Sequence, residues 1–183
     1  GRGGRFTIVV NHLKSKGSAC GERGEGGLQG NCSLTRARAA TELLRWLETD
    51  PTGSGDPDFL IVGDLNSYAK EAPTLALLAG PDGVQGTEDD YADLLHSFVG
   101  PGAYTYAFDG LLGYLDYAIS SSSLTPQVTG ATAWHINADE PDILDYDMSF
   151  KKAPQVALYA PDPYRSSDHD PVLVGLDLKP TEP

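Results

Sequence analysis

The chain has 183 residues, 40% of them hydrophobic, which suffices for one ordinary domain with a sizeable core. No apolar run approaches the roughly 20 residues that a membrane helix requires. The formal net charge of −13 argues, averaged over the surface, against a polyanionic partner.

In chain order, the opening Gly-Arg-Gly-Gly lacks an initiator Met and runs straight into a strand-like segment, so the chain is expected to be a piece of something longer. Arg5 to Asn11 has the β-branched density of a buried strand. Residues 15–32 form a Gly-rich loop that holds the only cysteines, Cys20 and Cys32. So few apolar side chains cannot hold this loop by packing. A disulfide would close it, supply about 3 kcal/mol on the chain-entropy model, and imply an oxidising compartment. Two free thiols are the alternative, and a two-Cys metal site lacks its other ligands.

A helix is expected from Thr35, which can cap it, with Ala40, Leu43, Leu44 and Leu47 on one apolar face; the Pro/Gly cluster at 51–57 ends it. Phe59 to Val62 reads as a second buried strand. Pro73 suits the first turn of a short helix through about Leu78, and another short helix is expected near Tyr91 to Phe98. Tyr104 to Phe108 and Tyr114 to Ile119 read as paired strands around Asp109-Gly110. A polar, irregular stretch follows, with a strand near Val128 to Trp134, and Val172 to Leu178 closes the chain as a strand. Strands and helices alternate without repeats or a domain boundary, which predicts one α/β or mixed α+β domain over 1–183.

Charge is unevenly spread. Residues 1–45 carry eight basic residues, Arg2, Arg5, Lys14, Lys16, Arg23, Arg36, Arg38 and Arg45, against three Glu; the remainder carries five against 23 acids. A phosphate-bearing ligand is therefore expected at the first quarter, and Lys14 and Lys16 are reasonable backbone-phosphate contacts.

Four polar punctuations stand at strand ends: Asn11-His12, Gly63-Asp64-Leu65-Asn66, Leu115-Asp116-Tyr117 and Asp168-His169. Two imidazoles, three carboxylates and two carboxamides, if strand ends converge at one edge of a sheet, suit metal-assisted hydrolysis of a phosphate ester. Each has a plainer reading: Asp64 to Asn66 as an Asx turn, and Asp168 to Pro171 as a strand entrance. Asp116 lies in an otherwise apolar pattern and needs a partner, for which His169 is the obvious candidate. No Gly-x-Ser-x-Gly elbow supports a serine triad. His96 and His135 read as structural histidines.

The wording and order of Val10-Asn-His-Leu-Lys-Ser-Lys16, Gly63-Asp-Leu-Asn66, Tyr104-Thr-Tyr106 with Leu115-Asp-Tyr117, and Ser167-Asp-His-Asp-Pro-Val172 resemble the C-terminal half of the endonuclease/exonuclease/phosphatase superfamily, which includes pancreatic-type deoxyribonuclease. The Gly-rich Cys loop and Tyr114-Leu-Asp-Tyr-Ala-Ile119 look most like its bacterial extracellular nucleases. The resemblance implies a secreted bacterial nuclease on a deoxyribonuclease-like α/β (α+β) sandwich, of which this chain would supply about half: a mixed sheet with flanking helices. It implies that His12 and His169 flank the scissile phosphate and that Asp64 positions or deprotonates the attacking water. Asn66 would hold that water or a phosphate oxygen, Asp116 would orient His169, and Asp168, with Asp64, would hold the divalent metal: Mg²⁺ first, Mn²⁺ or Ca²⁺ otherwise.

The family pattern begins with a half that supplies an Asn and a metal-ligating Glu, to which nothing here corresponds. This chain alone is therefore expected to be weakly active or inactive, with its open sheet face covered by the missing half or by self-association. A phospholipid phosphodiesterase or phosphatase is the alternative within the same chemistry, although no exposed aromatic hairpin for a membrane is evident in the sequence. A non-catalytic extracellular module that binds Ca²⁺ through Glu88-Asp-Asp90 or the acids of 139–147 is the alternative outside it; neither stretch has EF-hand spacing.

Overall fold

Residues 4–149 and 151–180 are described by a computed structural model; Arg2, counted above with the basic residues, lies outside them. Strand β1 (Thr7–His12) leads through the Cys loop to helix α1 (Ser33–Leu47) and strand β2 (Phe59–Asp64). β1 and β2 are parallel neighbours, as a strand–helix–strand crossover requires. Helix α2 (Ala72–Leu78) carries the expected Pro73 in its first turn. A two-residue strand β3 (Ala92–Asp93) runs into helix α3 (Leu94–Phe98), whose first turn is capped by Asp93.

Strands β4 (Tyr106–Phe108) and β5 (Leu111–Gly113) form a hairpin, and β6 (Asp116–Ser120) pairs antiparallel with β2 and β3. The expected pairing of residues 104–108 with 114–119 is thus corrected. The turn at Asp109-Gly110, with both residues at positive φ, is tight enough that 106–108 meets 111–113 directly, which frees the longer apolar strand for the central sheet. Strand β7 (Val128–Ala133) pairs with β8 (Val172–Leu176), and the short helix α4 (Ala153–Val156) lies between them in sequence. The fold is mixed α/β: a four-stranded sheet in the order β1-β2-β6-β3 and two two-stranded ribbons.

The strand period of two sorts the core. Val9, Phe59, Ile61, Tyr117 and Ile119 face α1 and α2 and pack with Ala40, Leu44, Leu47 and Leu77. Leu60 and Ala118, on the opposite face, pack with Leu94 and Leu124 and with Val128, Val174 and Leu176 of the β7–β8 ribbon. Each fully buried Leu or Ile contributes about 1.5–3 kcal/mol. The ribbon covers this second face only in part. On the edge strand β1, Ile8 and Val10 remain 56% and 77% exposed.

Cys20 and Cys32 form a disulfide, and two side chains fix the loop it closes. Arg36, fully buried, donates to the carbonyls of Lys14, Gln29 and Asn31. Glu22 accepts from the backbone amides of Leu34 and Thr35 at the start of α1. Thr35 therefore lies inside the helix and is not its cap. The cap comes from a carboxylate 13 residues upstream, brought there by the loop. Arg36, counted among residues that would welcome phosphate, is engaged internally.

Candidate active site

Register builds the site. His12 stands opposite Asp64 across β1 and β2, and Asp64 stands opposite Asp116 across β2 and β6. The side-chain period puts all three on the face away from α1, in one row across three adjacent strands. Just before Asp64, Gly63 has φ +117°, and a Cβ there would lie 2.0 Å from the carbonyl oxygen of Asn11. Only glycine lets β2 approach β1 this closely beside the site.

Beyond β2 the chain folds back at Asn66, a left-handed residue (φ +47°) of a type that tolerates this conformation. Its amide donates to Asp64 Oδ1 at 2.7 Å, an Asx turn, and its Nδ2 donates to Asp64 Oδ2 and to the Leu13 carbonyl, each at 3.0 Å. Asn66 thereby ties the loop after β1 to the loop after β2. The Asx-turn reading and the site reading describe the same residues. His12, mostly exposed, brings Nε2 to 3.4 Å from Asp64 Oδ2.

The fourth participant comes from far along the chain. His169 pairs in a single antiparallel bridge with Tyr106, whose ring lies 4.5 Å from the imidazole. His169 Nδ1 meets Asp116 Oδ2 at 2.7 Å. The hydroxyl of the buried Thr105 donates to the same oxygen at 2.7 Å. Donor atoms of Asp64, Asp116 and His169 all lie within 4.8 Å of one another. With Nδ1 engaged by a carboxylate, Nε2 is the nitrogen left to serve a substrate.

The electrostatics follow from this packing. Burial raises the Asp64 carboxyl above its ordinary value, and the neighbouring Asp116 charge adds to that; the Asn66 amide, His169 and His12 only partly offset it. Burial works to lower the His169 imidazolium. The Asp116 hydrogen bond, with the charges of Asp116, Asp168 and Asp64, outweighs burial and leaves the pKa above 6.5.

The remaining expected residues lie around this cluster. Asp168 is half-buried and lines a groove with Tyr106, Phe108, Asp145 and Arg165. Lys14 Nζ donates to the Ser18 hydroxyl at 2.7 Å. Lys16 pairs with the Glu71 carboxylate and lies 4.5 Å over the Tyr68 ring. Lys16 must break a partly buried pairing to reach a ligand, and Lys14 only a surface one. The acidic stretches are tied into local bonds: Asp142 and Asp145 pair with Arg165, Asp139 accepts from Tyr104, and Asp89 and Asp90 close their own loop. Neither stretch forms a group of three metal donors among the described residues.

Sequence reasoning missed Thr105, although it sits inside the quoted Tyr104-Thr-Tyr106. A hydroxyl between aromatic strand residues was its only signal. It also missed the tip of the β4–β5 hairpin, where Phe108, Leu111 and Leu112 are 57%, 74% and 62% exposed. This tip holds one aromatic and two aliphatic side chains in solvent, a surface that is not evident in the sequence.

No family model matches this chain, and no curated protein matches it. Among the described residues no helix is long and apolar enough to cross a membrane.

Proposed function

We propose that this protein is a secreted bacterial phosphodiesterase of the deoxyribonuclease-like sandwich class, hydrolysing nucleic acid, with DNA as first substrate and RNA as second. The observation that carries the reading is the Asp116–His169 pair set against the Asp64–Asn66 turn on adjoining strand ends. Asp64, ionised above its raised pKa, accepts a proton from the attacking water, which Asn66 helps place. Protonated His169 gives its Nε2 proton to the oxygen that leaves phosphorus, and Asp116 steadies the charge that His169 carries. His12, on the exposed rim, meets a non-bridging phosphate oxygen.

The donor set favours a cation. Asp64 and Asp116 are like charges directly across a strand pair, and Asp168 adds a third acid to the same field. The resemblance assigns a divalent metal, Mg²⁺ first, with Mn²⁺ or Ca²⁺ as alternatives, to Asp64 and Asp168. The donor atoms that the fold brings within 4.8 Å of one another are instead those of Asp64, Asp116 and His169, with Asp168 lining the neighbouring groove. When bound, such an ion would supply neutralisation of the charge that develops on the phosphate. Two carboxylates fall short of the six-oxygen shell a hard cation prefers, so a low rate is expected of this chain. The open face beside Ile8 and Val10 is read as the seat of a covering segment beyond these 183 residues or of a second copy.

Digestion of supercoiled plasmid in Mg²⁺, Mn²⁺ or Ca²⁺, with an EDTA control and His169→Ala alongside, tests the reading. Metal-dependent nicking that the variant loses supports it. Nicking that survives in the variant or in EDTA contradicts it.

The exposed Phe108, Leu111 and Leu112 favour a second reading, phospholipid phosphodiesterase, in which the hairpin tip enters a lipid surface. Release of phosphorylated headgroup from vesicles, lost when these three residues are replaced by Ser, would select it over the nuclease.

A further inference from the structure

A second histidine–carboxylate pair lies directly behind the first. Asp170, the residue after His169, has a fully buried side chain. Its Oδ1 accepts the backbone amides of Ile136, Asn137 and Ala138 at 3.1, 2.9 and 2.9 Å, and its Oδ2 meets His135 Nδ1 at 2.8 Å. Four donors around one carboxylate satisfy a charge that would otherwise be costly to bury. They also fold residues 135–138 into a tight cradle. On its outer side His135 stacks on Tyr104, with ring centres 3.9 Å apart.

The cradle presents one side chain toward the site segment. Asn137, almost fully buried, donates from Nδ2 to the His169 carbonyl at 2.7 Å and accepts the Ser166 amide on Oδ1 at 3.2 Å. Its own carbonyl accepts from Arg165 at 3.1 Å. The backbone of 166–169 is thus held at two points by one carboxamide, with the Arg165 guanidinium docked on the same residue, and Asn137 contacts neither Asp64 nor Asp116 among the described hydrogen bonds. A carboxamide is suited to this task because it offers a donor and an acceptor side by side.

We infer that Asn137 is a positioning residue for His169: its carboxamide, seated by the Asp170 cradle, sets the height of the His169 backbone so that the imidazole reaches Asp116. Its catalytic meaning rests on the phosphodiesterase reading; its structural content does not. Two hydrogen bonds from the carboxamide fix the segment's backbone, and a displacement of about 1 Å at a reacting group can cost about 10²-fold in rate.

The test uses the full 183-residue chain. In the parent, the proton that His169 Nδ1 shares with Asp116 is expected as a strongly downfield proton resonance, assigned by its loss in Asp116→Asn. Asn137→Asp keeps an acceptor for the Ser166 amide but sets an oxygen against the His169 carbonyl, removing that one link. The smaller, neutral Asn137→Ser reaches neither partner, and it carries the test if Asn137→Asp does not fold. The expected result is loss or marked upfield movement of the resonance with far-ultraviolet circular dichroism unchanged. The kcat for phosphodiester cleavage is expected to fall about tenfold to a hundredfold, with KM unchanged. A resonance that keeps its position in a folded Asn137 variant overturns the inference, as does its absence in the parent. If the parent cleaves no phosphodiester, the proposed function fails while the resonance still judges the brace.

Discussion

Asp116 and His169 stand 53 positions apart in the chain and meet at 2.7 Å, and their pairing makes a prediction about pH. The His169 pKa is raised, so its protonated form is favoured by folding. The associated stability is fully present below 6.5 and is lost as pH rises through the higher folded value. If His169 acts as the acid, activity falls over that same rise. In Asp116→Asn the hydrogen-bonding charge is gone and burial dominates, so the alkaline limb is expected to move to lower pH. The maximal rate is expected to fall about 10²–10⁴-fold. A pH–rate profile with an unmoved alkaline limb contradicts the assignment. Asp64 has the opposite sign: its raised pKa means that its ionised form works against folding. Asp64→Asn is therefore expected to melt at or above the parent temperature while losing hydrolysis. A variant that melts lower would show the carboxylate to be structural. The identities of these residues were legible because strand ends carried them in recognisable phrases. Thr105, Asn137 and Asp170 were not, because their importance lies in bonds between segments that no local pattern encodes.

α1 and β2 follow from periodicity, since each has an apolar pattern that matches its burial, and β8 forms where its alternation predicts. β1 forms where expected but is an edge strand with Ile8 and Val10 exposed rather than a buried one, because the ribbon does not reach over it. Where elements were misread, a non-local partner decided. α1 begins at Ser33 because Glu22 reaches its first amides from within the disulfide loop. The 104–108 strand pairs with its nearest neighbour because the turn is short, and β6 finds β2 instead. The disulfide loop is thus a structural element in its own right, joining the end of β1 to α1 through Arg36. Its closed ring of about 13 residues predicts that Cys20→Ser/Cys32→Ser loses about 3 kcal/mol on the chain-entropy model. Urea unfolding of the parent with and without reductant should show the same loss. An unchanged midpoint would mean that Arg36 and Glu22 hold the loop unaided.

Taken whole, the molecule has one well-covered face and one partly open one. α1 and α2 close the first, whereas the β7–β8 ribbon leaves Ile8 and Val10 of an edge strand in water. An edge strand with apolar side chains on its open face invites pairing, and the row of His12, Asp64 and Asp116 lies on this same face. The sequence signalled the patch only through the resemblance, because which face a ribbon covers depends on residues more than 100 positions away. Sedimentation velocity is expected to show concentration-dependent association, with binding of a hydrophobic dye. Ile8→Lys/Val10→Lys should suppress both without altering the helix signal. A monomer at all concentrations that binds no dye contradicts this.

The proposed function requires Asp64 and His169 to act as one unit on a phosphodiester. The decisive measurement is single-turnover cleavage of a short end-labelled DNA duplex in Mg²⁺, with protein in excess so that a slow rate is still resolved. Parent, Asp64→Asn, His169→Ala and the double variant are compared. Groups that act together lose their contributions together. Each single variant is expected to fall by about 10²-fold or more, and the double variant to fall no further than the worse single. Losses that multiply in the double variant, or single variants that cleave like the parent, would contradict it.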